Sequence, residues 1–171
     1  MEIRFAADCN VGKLARWLRM MGYDTLFFRD IDDGQLVDIA MKEGRVVLSR
    51  DTGLMRRKVV ASGQVKMLLL RDDNPKEQLR HVMTALDLGS PFRLFSRCLE
   101  CNHALEPRAK EELRGIVPPY VFLTQSDYMQ CPSCRRIYWR GTHWQRMSRE
   151  LERLTGGGSD SIQPATVLQE S

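Results

Sequence analysis

The stretch Ile3–Arg19, IRFAADCNVGKLARWLR, decides the architecture that the rest of the chain follows. Its apolar start, Ile3–Ala7, predicts a short buried strand that ends at Asp8. Beyond Gly12, apolar residues recur at the spacing of one helix face; these are Leu14, Trp17, Leu18 and Met21. A strand, an acid and a helix in this order predict an α/β sheet with a carboxylate at its carboxyl edge.

Length and composition indicate a globular protein with one ordinary domain, or a small domain and a module. The chain has 171 residues, of which 43% are hydrophobic and 28% are charged. No apolar run approaches the roughly 20 residues that span a bilayer, and the first residues do not form a signal peptide. We therefore expect a cytoplasmic protein without membrane association.

Three more segments with strand and helix signals follow the opening unit. The predicted strands are Tyr23–Phe28, Arg45–Ser49 and Val65–Leu70. The predicted helices are Gly34–Glu43, Thr52–Ala61 and one that begins after an Asn74 cap and ends near Leu88. Right-handed crossovers between parallel strands place helices on both faces of a sheet. The chain is therefore predicted to form a three-layer α/β sandwich whose mostly parallel sheet buries strands three and four on both faces.

Every predicted strand is followed by aspartate. The acids are Asp8, Asp30, Asp32, Asp33, Asp51, Asp72 and Asp73. Because the carboxyl ends of parallel strands meet at one edge, these acids are expected to lie close together, where a cation would relieve their repulsion. Oxygen ligands of this kind select magnesium or manganese, and a pair of such ions about 4 Å apart suits phosphodiester hydrolysis.

A purely structural role for these acids is an equally open interpretation, because Asp is common in turns and at helix N-caps. Asp32 is a candidate cap for the second helix, whereas Asp8 and Asp51 have no evident helix to cap. Two other Asp-based folds fit poorly. A haloacid dehalogenase-type phosphatase would need an acid at Asn10. A receiver domain would need paired acids before its first acidic strand end and a lysine near the end of the last strand, whereas Lys66 lies at the start of that strand.

Four of the five cysteines form two C-x-x-C pairs, Cys98 with Cys101 and Cys131 with Cys134. In a reducing compartment this pattern indicates a tetrahedral structural zinc site before a disulfide or a redox site. A module of this size has too small a core to fold alone, so zinc would stabilise it. The remaining cysteine, Cys9, is most simply a small buried residue.

Basic residues lie near both predicted sites, and each has a binding and a structural interpretation. Lys13, Arg16 and Arg19 recur on the first helix, and Arg50 precedes Asp51. In the cysteine module, basic and aromatic side chains follow the last cysteine; these are Arg135, Arg136, Tyr138, Trp139, Arg140 and Trp144. They could hold RNA phosphates and bases, or they could be solvated surface, with Tyr138 and Trp139 packing the module's core.

Several ordered motifs resemble the Mut-seven C-terminal RNase family over about residues 3–147. They are Phe5–Asp8, Gly12–Arg19, Gly22–Asp24, Asp32–Leu36, Ile39–Ala40, Ser49–Asp51 with Leu54, Gln78–Leu79, the four cysteines, Tyr138–Trp139 and Gly141-x-His143–Trp144. The resemblance implies a PIN-like nuclease fold with an appended zinc ribbon. It implies a ribonuclease in which Asp8, Asp33 and Asp51 bind catalytic magnesium or manganese, with Asp72 as a possible additional acid. Ser49 stands where that family often has Thr.

Together, these observations predict a PIN-like nuclease domain over residues 1–92, a zinc ribbon with a short terminal helix over 93–154, and a disordered tail over 155–171. The first hypothesis is a metal-dependent ribonuclease that acts on RNA, expected to be single-stranded. In it, Lys13 and Arg50, with Arg135 and Arg136 of the ribbon, bind the RNA. The alternative is a non-catalytic RNA- or ribosome-associated binding module on the same fold.

Overall fold

The computed structural model describes residues 2–89 and 91–156. The chain divides into two compact units, Met1–Gly89 and Ser90–Ser171. In the described part of the chain, no helix is both long enough and apolar enough to cross a membrane.

A four-stranded parallel sheet forms the centre of the first unit. Its strands are β1 (Phe5–Ala7), β2 (Thr25–Phe27), β3 (Val46–Ser49) and β4 (Met67–Leu69). They lie in the order β2-β1-β3-β4, and Ala7 of β1 faces Phe27 on one side and Leu48 on the other. The predicted parallel α/β sheet is therefore confirmed, and Asp8 follows an inner strand.

Helices cover both faces of this sheet. They are α1 (Gly12–Met20), α2 (Asp33–Glu43), α3 (Lys58–Ala61) and α4 (Pro75–Ala85), and 3-10 turns occupy Cys9–Val11 and Thr52–Arg56. On one face, Leu36 and Ala40 of α2 pack with Ala6 and Val47 of the sheet. On the other, α1 packs against α4, and both helices bury leucine side chains. This is the three-layer arrangement expected from right-handed crossovers.

The helix signals in the sequence correspond to caps in the structure. The Asn74 side chain accepts a hydrogen bond from the Lys76 N–H at 2.9 Å, with Pro75 in the first turn of α4. The Asp32 side chain caps α2 by accepting from the Gln35 N–H at 2.9 Å. Both caps satisfy backbone donors that a helix start leaves unpaired.

Three predictions about the first unit are wrong in detail. The helix predicted over Thr52–Ala61 is broken at Arg57, where φ −64° and ψ 134° are extended. Helix α4 ends at Ala85 rather than near Leu88, and Asp87 has a positive φ of 50°. Strand β4 is only half-buried, unlike the fully buried β3, because it lies at the sheet edge and has one neighbouring strand.

The second unit is built on a small antiparallel sheet in the order β5-β6-β7. Its elements are β5 (Glu106–Arg108), a 3-10 turn (Lys110–Leu113), α5 (Pro119–Thr124), β6 (Tyr128–Gln130), β7 (Ile137–Trp139) and α6 (Thr142–Thr155). The segment that precedes the first cysteine is not an exposed connection, since Phe92, Leu94 and Phe95 are buried. Residues 157–171 of the predicted tail lie outside the described residues.

Candidate active site and metal centre

Asp8 is a buried carboxylate held by several donors at the end of β1. Only 5% of the surface of Asp8 is exposed to solvent. One carboxylate oxygen accepts from the Cys9 N–H at 2.7 Å, and the other accepts from the Ser49 hydroxyl at 2.7 Å and from the Asn10 amide at 3.5 Å. Asp8 thereby caps the 3-10 turn that follows it, so the expectation that it has no helix to cap is wrong.

Ser49 connects Asp8 to Asp51 across the two inner strands. The fully buried Ser49 hydroxyl donates to Asp8 and accepts from the Asp51 N–H at 3.0 Å. The Asp51 carboxylate accepts from the Gly53 N–H at 2.7 Å and caps the 3-10 turn Thr52–Arg56, again contrary to expectation. Strand order changes direction between β1 and β3, and crevices at such a point commonly bind ligands in open α/β sheets.

Asp33 is the first residue of α2 and is half-buried. Its negative charge acts on Cys9, the residue after Asp8. Desolvation and the negative charge of Asp8 raise the pKa of the Cys9 thiol, and the Asp33 carboxylate raises it further. Cys9 itself is exposed, so its prediction as a buried residue is wrong. Asp33 therefore adds negative charge near the turn that follows Asp8.

The acids after β4 have local partners. The Asp72 side chain accepts from the Asn74 N–H at 2.7 Å, and its backbone carbonyl accepts from the buried Gln78 amide at 2.7 Å. Asp73 forms an ion pair with Arg50. The Arg50 N–H in turn donates to the Asn10 side chain at 3.3 Å. These contacts connect the β4–α4 loop to the Asp8 side of the sheet edge through Arg50 and Asn10.

Within residues 2–89 and 91–156, these acids do not form a metal-ligating group comparable to the cysteine cluster. The Ser49 hydroxyl joins the Asp8 carboxylate to the Asp51 backbone N–H, whereas Asp33 and Asp72 lie in separate elements. Like-charged carboxylates repel, and local N–H donors hold Asp8, Asp51 and Asp72 in separate turns. The oxygen donor set itself is the kind that magnesium and manganese prefer.

The basic residues of α1 divide between surface and interior. Lys13 is exposed in the first turn. Arg19 is only 5% exposed, and its side chain donates to the Thr25 carbonyl at 2.9 Å. A role for Arg19 in phosphate binding is therefore ruled out by burial.

Sequence reasoning missed three residues at this edge: Asn10, Ser49 and Arg57. Ser49 is the polar last residue of an apolar strand, which is a usable signal for a buried hydrogen-bond donor. Arg57 comes close to the start of α2, where one guanidinium nitrogen is 3.7 Å from the position that a Cβ of Gly34 would take. No sequence pattern indicates that approach, since it depends on the break between the 3-10 turn and α3.

The second unit gathers its four cysteines into one cluster. The sulfur atoms of Cys98, Cys101, Cys131 and Cys134 all lie within 4.8 Å of one another. The Cys98 and Cys134 sulfurs are 3.6 Å apart, and those of Cys101 and Cys131 are 3.2 Å apart. Four sulfurs about 2.3 Å from a tetrahedral zinc would lie roughly 3.8 Å from one another, so the donor set and its size fit zinc.

Neighbouring groups change the proton affinity of the thiols. Burial opposes ionisation of Cys98, but the Tyr138 hydroxyl and backbone N–H groups of Cys101 and Glu100 outweigh it and lower the pKa of Cys98 to about 6. Burial and the adjacent Cys131 thiol raise the pKa of Cys101 to about 12. The Tyr138 hydroxyl lies 3.1 Å from the Cys98 sulfur and accepts from the Leu99 N–H at 3.1 Å. Tyr138 thus contacts the sulfur of Cys98, one of the four candidate metal ligands, and its ring packs in the core of the cysteine module.

The two cysteine pairs adopt the same backbone turn. In the first, the Cys98 N–H donates to the His103 carbonyl at 2.8 Å, and the Asn102 N–H donates to the Cys98 carbonyl at 3.1 Å. In the second, the Cys131 N–H donates to the Arg136 carbonyl at 2.9 Å, and the Arg135 N–H donates to the Cys131 carbonyl at 3.0 Å. Both turns are knuckles that point two sulfurs at a common centre.

The two arginines proposed for this module are exposed side chains of the second knuckle. Arg135 has a positive φ of 64°, and Arg136 lies 3.4 Å from the Glu100 carboxylate across the cysteine cluster. The neighbouring aromatics are half-buried: Tyr138 packs beside the cysteines, and Trp139 packs with Leu113, Val117 and Tyr128. The predicted packing role of these two aromatic residues is thus observed.

The chain therefore combines an α/β domain that has an acidic sheet edge with a four-cysteine module suited to a metal such as zinc. It belongs to the Mut7-C RNase domain family, whose model matches residues 3–151. The family's description names a ribonuclease, so RNA is the substrate or partner class that membership implies. No curated protein and no solved structure matches the chain.

Proposed function

We propose that this protein is a metal-dependent ribonuclease that hydrolyses phosphodiester bonds of single-stranded RNA at the carboxyl edge of β1 and β3. The observation that carries the proposal is the hydrogen-bonded connection from Asp8 through the Ser49 hydroxyl to Asp51. It orients the Asp8 carboxylate and ties it to the backbone of Asp51, at the point where strand order changes. Membership of an RNase domain family supports the same reaction.

In this proposal Asp8, Asp33 and Asp51 would hold magnesium or manganese, with Asp72 as the additional acid of the set. A bound ion would supply activation of a water and stabilisation of the leaving oxygen of the phosphodiester. Ser49 and the Cys9 N–H keep the Asp8 carboxylate in one orientation. Exposed Lys13 and Arg50, on the elements that flank Asp8 and Asp51, bind the phosphates of the RNA strand.

The second unit contributes RNA binding, with structural zinc on its four cysteines. Four thiolates leave no open position on a tetrahedral ion, so the zinc has no part in the reaction. Arg135 and Arg136 bind phosphates. The left-handed backbone of Arg135 supports this role, because the matching position of the other knuckle has Asn, which tolerates that conformation better. A cytoplasmic location belongs to the same proposal, since the thiols must stay reduced.

A non-catalytic RNA- or ribosome-associated binding module is the second candidate. The observation that favours it is the capping role of the acids: Asp8, Asp51 and Asp72 each accept a hydrogen bond from the N–H of a turn that follows them. In this alternative the edge keeps its acids for folding, and RNA affinity comes from the basic residues alone.

Cleavage of single-stranded RNA with manganese separates the two candidates. The unaltered chain is compared with Asp8→Asn, Asp51→Asn and the matched control Asp38→Asn, which changes an exposed acid in α2. The enzyme proposal expects cleavage by the unaltered chain and the control, and loss of cleavage in the other two while both remain folded, because Asn keeps an acceptor oxygen for each cap. Equal residual activity in all four proteins indicates a contaminating nuclease and contradicts the proposal. RNA binding without cleavage supports the alternative.

A further inference from the structure

A cleft of about 680 Å³ opens in the first unit between the end of β4 and helix α4. Its walls include Leu70 and Arg71 on one side and Gln78, His81, Thr84 and Ala85 on the other. The buried Gln78 amide donates to the Asp72 carbonyl at 2.7 Å and so holds the loop that forms one rim. The volume is within the range of about 300–1,000 Å³ typical of small-ligand sites.

A second cleft shares part of the wall of this one. A smaller cleft of about 220 Å³ is lined by Arg50, Thr52 and Leu69, and it shares Leu70 and Arg71 with the larger one. Arg50 and Thr52 flank Asp51 in the chain. Arg71 therefore lines both clefts, with Arg50 beside it in the smaller one and α4 beside it in the larger one.

Among the charged side chains that line the cleft, Arg71 is the one available to bind an anion. Its two acids have partners within the protein: Glu77 pairs with Arg80 at 2.5 Å, and the Asp72 side chain accepts from the Asn74 N–H. Arg71 is exposed, and no ion pair in residues 2–89 and 91–156 involves it. The guanidinium of Arg71 thus keeps its donors for a ligand, with the exposed ring of His81 further along the same cleft.

We propose that this cleft is a nucleotide subsite of the RNA-binding path, in which Arg71 binds a backbone phosphate and the surface of α4 around His81 and Thr84 receives the adjoining nucleotide. The inference rests on the proposed function, since it places one nucleotide of the same substrate beside the acidic edge. Arg71 acts in binding and takes no part in the chemical step.

The test compares kcat and KM of RNA cleavage for Arg71→Ala and Lys66→Ala over a range of salt concentrations. Lys66 is a matched control, because it is exposed and precedes β4 at the opposite end of the same strand. For Arg71→Ala we expect KM to rise roughly tenfold with kcat little changed. The slope of log KM against log salt should fall by about 0.7, as for one lost phosphate contact on a single strand. Lys66→Ala should change neither quantity.

Thr84→Trp provides a second test that removes no charge. It fills the cleft from the exposed face of α4 and should raise KM while the salt slope stays unchanged. A KM for Arg71→Ala equal to that of Lys66→Ala, or an unaltered KM for Thr84→Trp, overturns the subsite while leaving the ribonuclease proposal intact.

If the unaltered chain cleaves no RNA, the ribonuclease proposal fails. In that case the subsite is tested by RNA binding, measured as the fluorescence anisotropy of labelled RNA. Equal Kd values for RNA in Arg71→Ala and Lys66→Ala overturn the subsite.

Discussion

Asn102 and Arg135 occupy the same position in the two knuckles of the cysteine site. Each directly follows the second cysteine of its pair, and each has a left-handed backbone, with φ of 69° and 64°. Each also donates its N–H to the first cysteine's carbonyl. Asn is among the residues that accept this conformation at low cost, whereas a long side chain adds strain.

Arg135→Asn is therefore expected to stabilise the second unit by about 1 kcal/mol, because it relieves that strain. RNA affinity should fall at the same time, since a phosphate-binding charge is lost. The measurements are urea unfolding and RNA binding by anisotropy. Arg136→Asn is the control: it removes the same charge without a left-handed backbone, and its exposed ion pair with Glu100 contributes little, so stability should change by no more than about 0–1 kcal/mol while affinity falls. Equal stability changes in the two variants would contradict the strain argument.

Ser49→Ala should destabilise the first unit by about 1–3 kcal/mol, since the buried Asp8 carboxylate loses a donor and the Asp51 N–H loses its acceptor. RNA cleavage should fall as well. Ser49→Thr keeps the hydroxyl and should retain most of both properties. Denaturant unfolding and cleavage assays on the two variants provide the check, and an unaltered stability of Ser49→Ala would show that the connection is not stabilising.

Tyr138→Phe should lower zinc affinity roughly tenfold, because the variant removes the hydroxyl beside the Cys98 sulfur while preserving the ring that packs against the cysteines. Competition with a chromophoric chelator measures the affinity. Metal analysis of the unaltered chain should give one zinc per chain, and a content well below this contradicts the zinc proposal directly. Tyr120→Phe is the matched control, as Tyr120 is 75% exposed.

Substitutions of Arg19 and Lys13, which both lie in α1, should separate an effect on stability from an effect on RNA binding. Arg19→Met leaves the Thr25 carbonyl without the buried guanidinium that donates to it, and we expect a loss of about 1–3 kcal/mol in unfolding free energy. Lys13→Met should leave stability nearly unchanged and weaken RNA binding. Thermal unfolding and anisotropy distinguish the two effects. A stable Arg19→Met with reduced RNA affinity would contradict the assignment of Arg19 to the interior.

The parts of this structure that sequence reasoning predicted well are those controlled by nearby residues. The apolar runs of β1 and β3, the Asn74 cap with Pro75 and the paired cysteines all express local rules. The features that were predicted wrongly depend on contacts between elements that are distant in the sequence or on short turns. Arg19 is buried because parallel pairing of β1 with β2 brings the Thr25 carbonyl within its reach. Asp8 and Asp51 serve as caps because short 3-10 turns follow them, which hydrophobic periodicity does not reveal.

The sequence separation between Asp8 and Ser49 has a consequence for folding during synthesis on the ribosome. The two residues are 41 positions apart, and β1 obtains its second neighbouring strand only when β3 pairs with it. Closing a loop of this length costs entropy before any contact forms, and synthesis proceeds from the amino end. A nascent chain that stops short of β3 has Asp8 without the hydroxyl that orients it. The acidic edge can thus assemble only in a chain that has been made through β3.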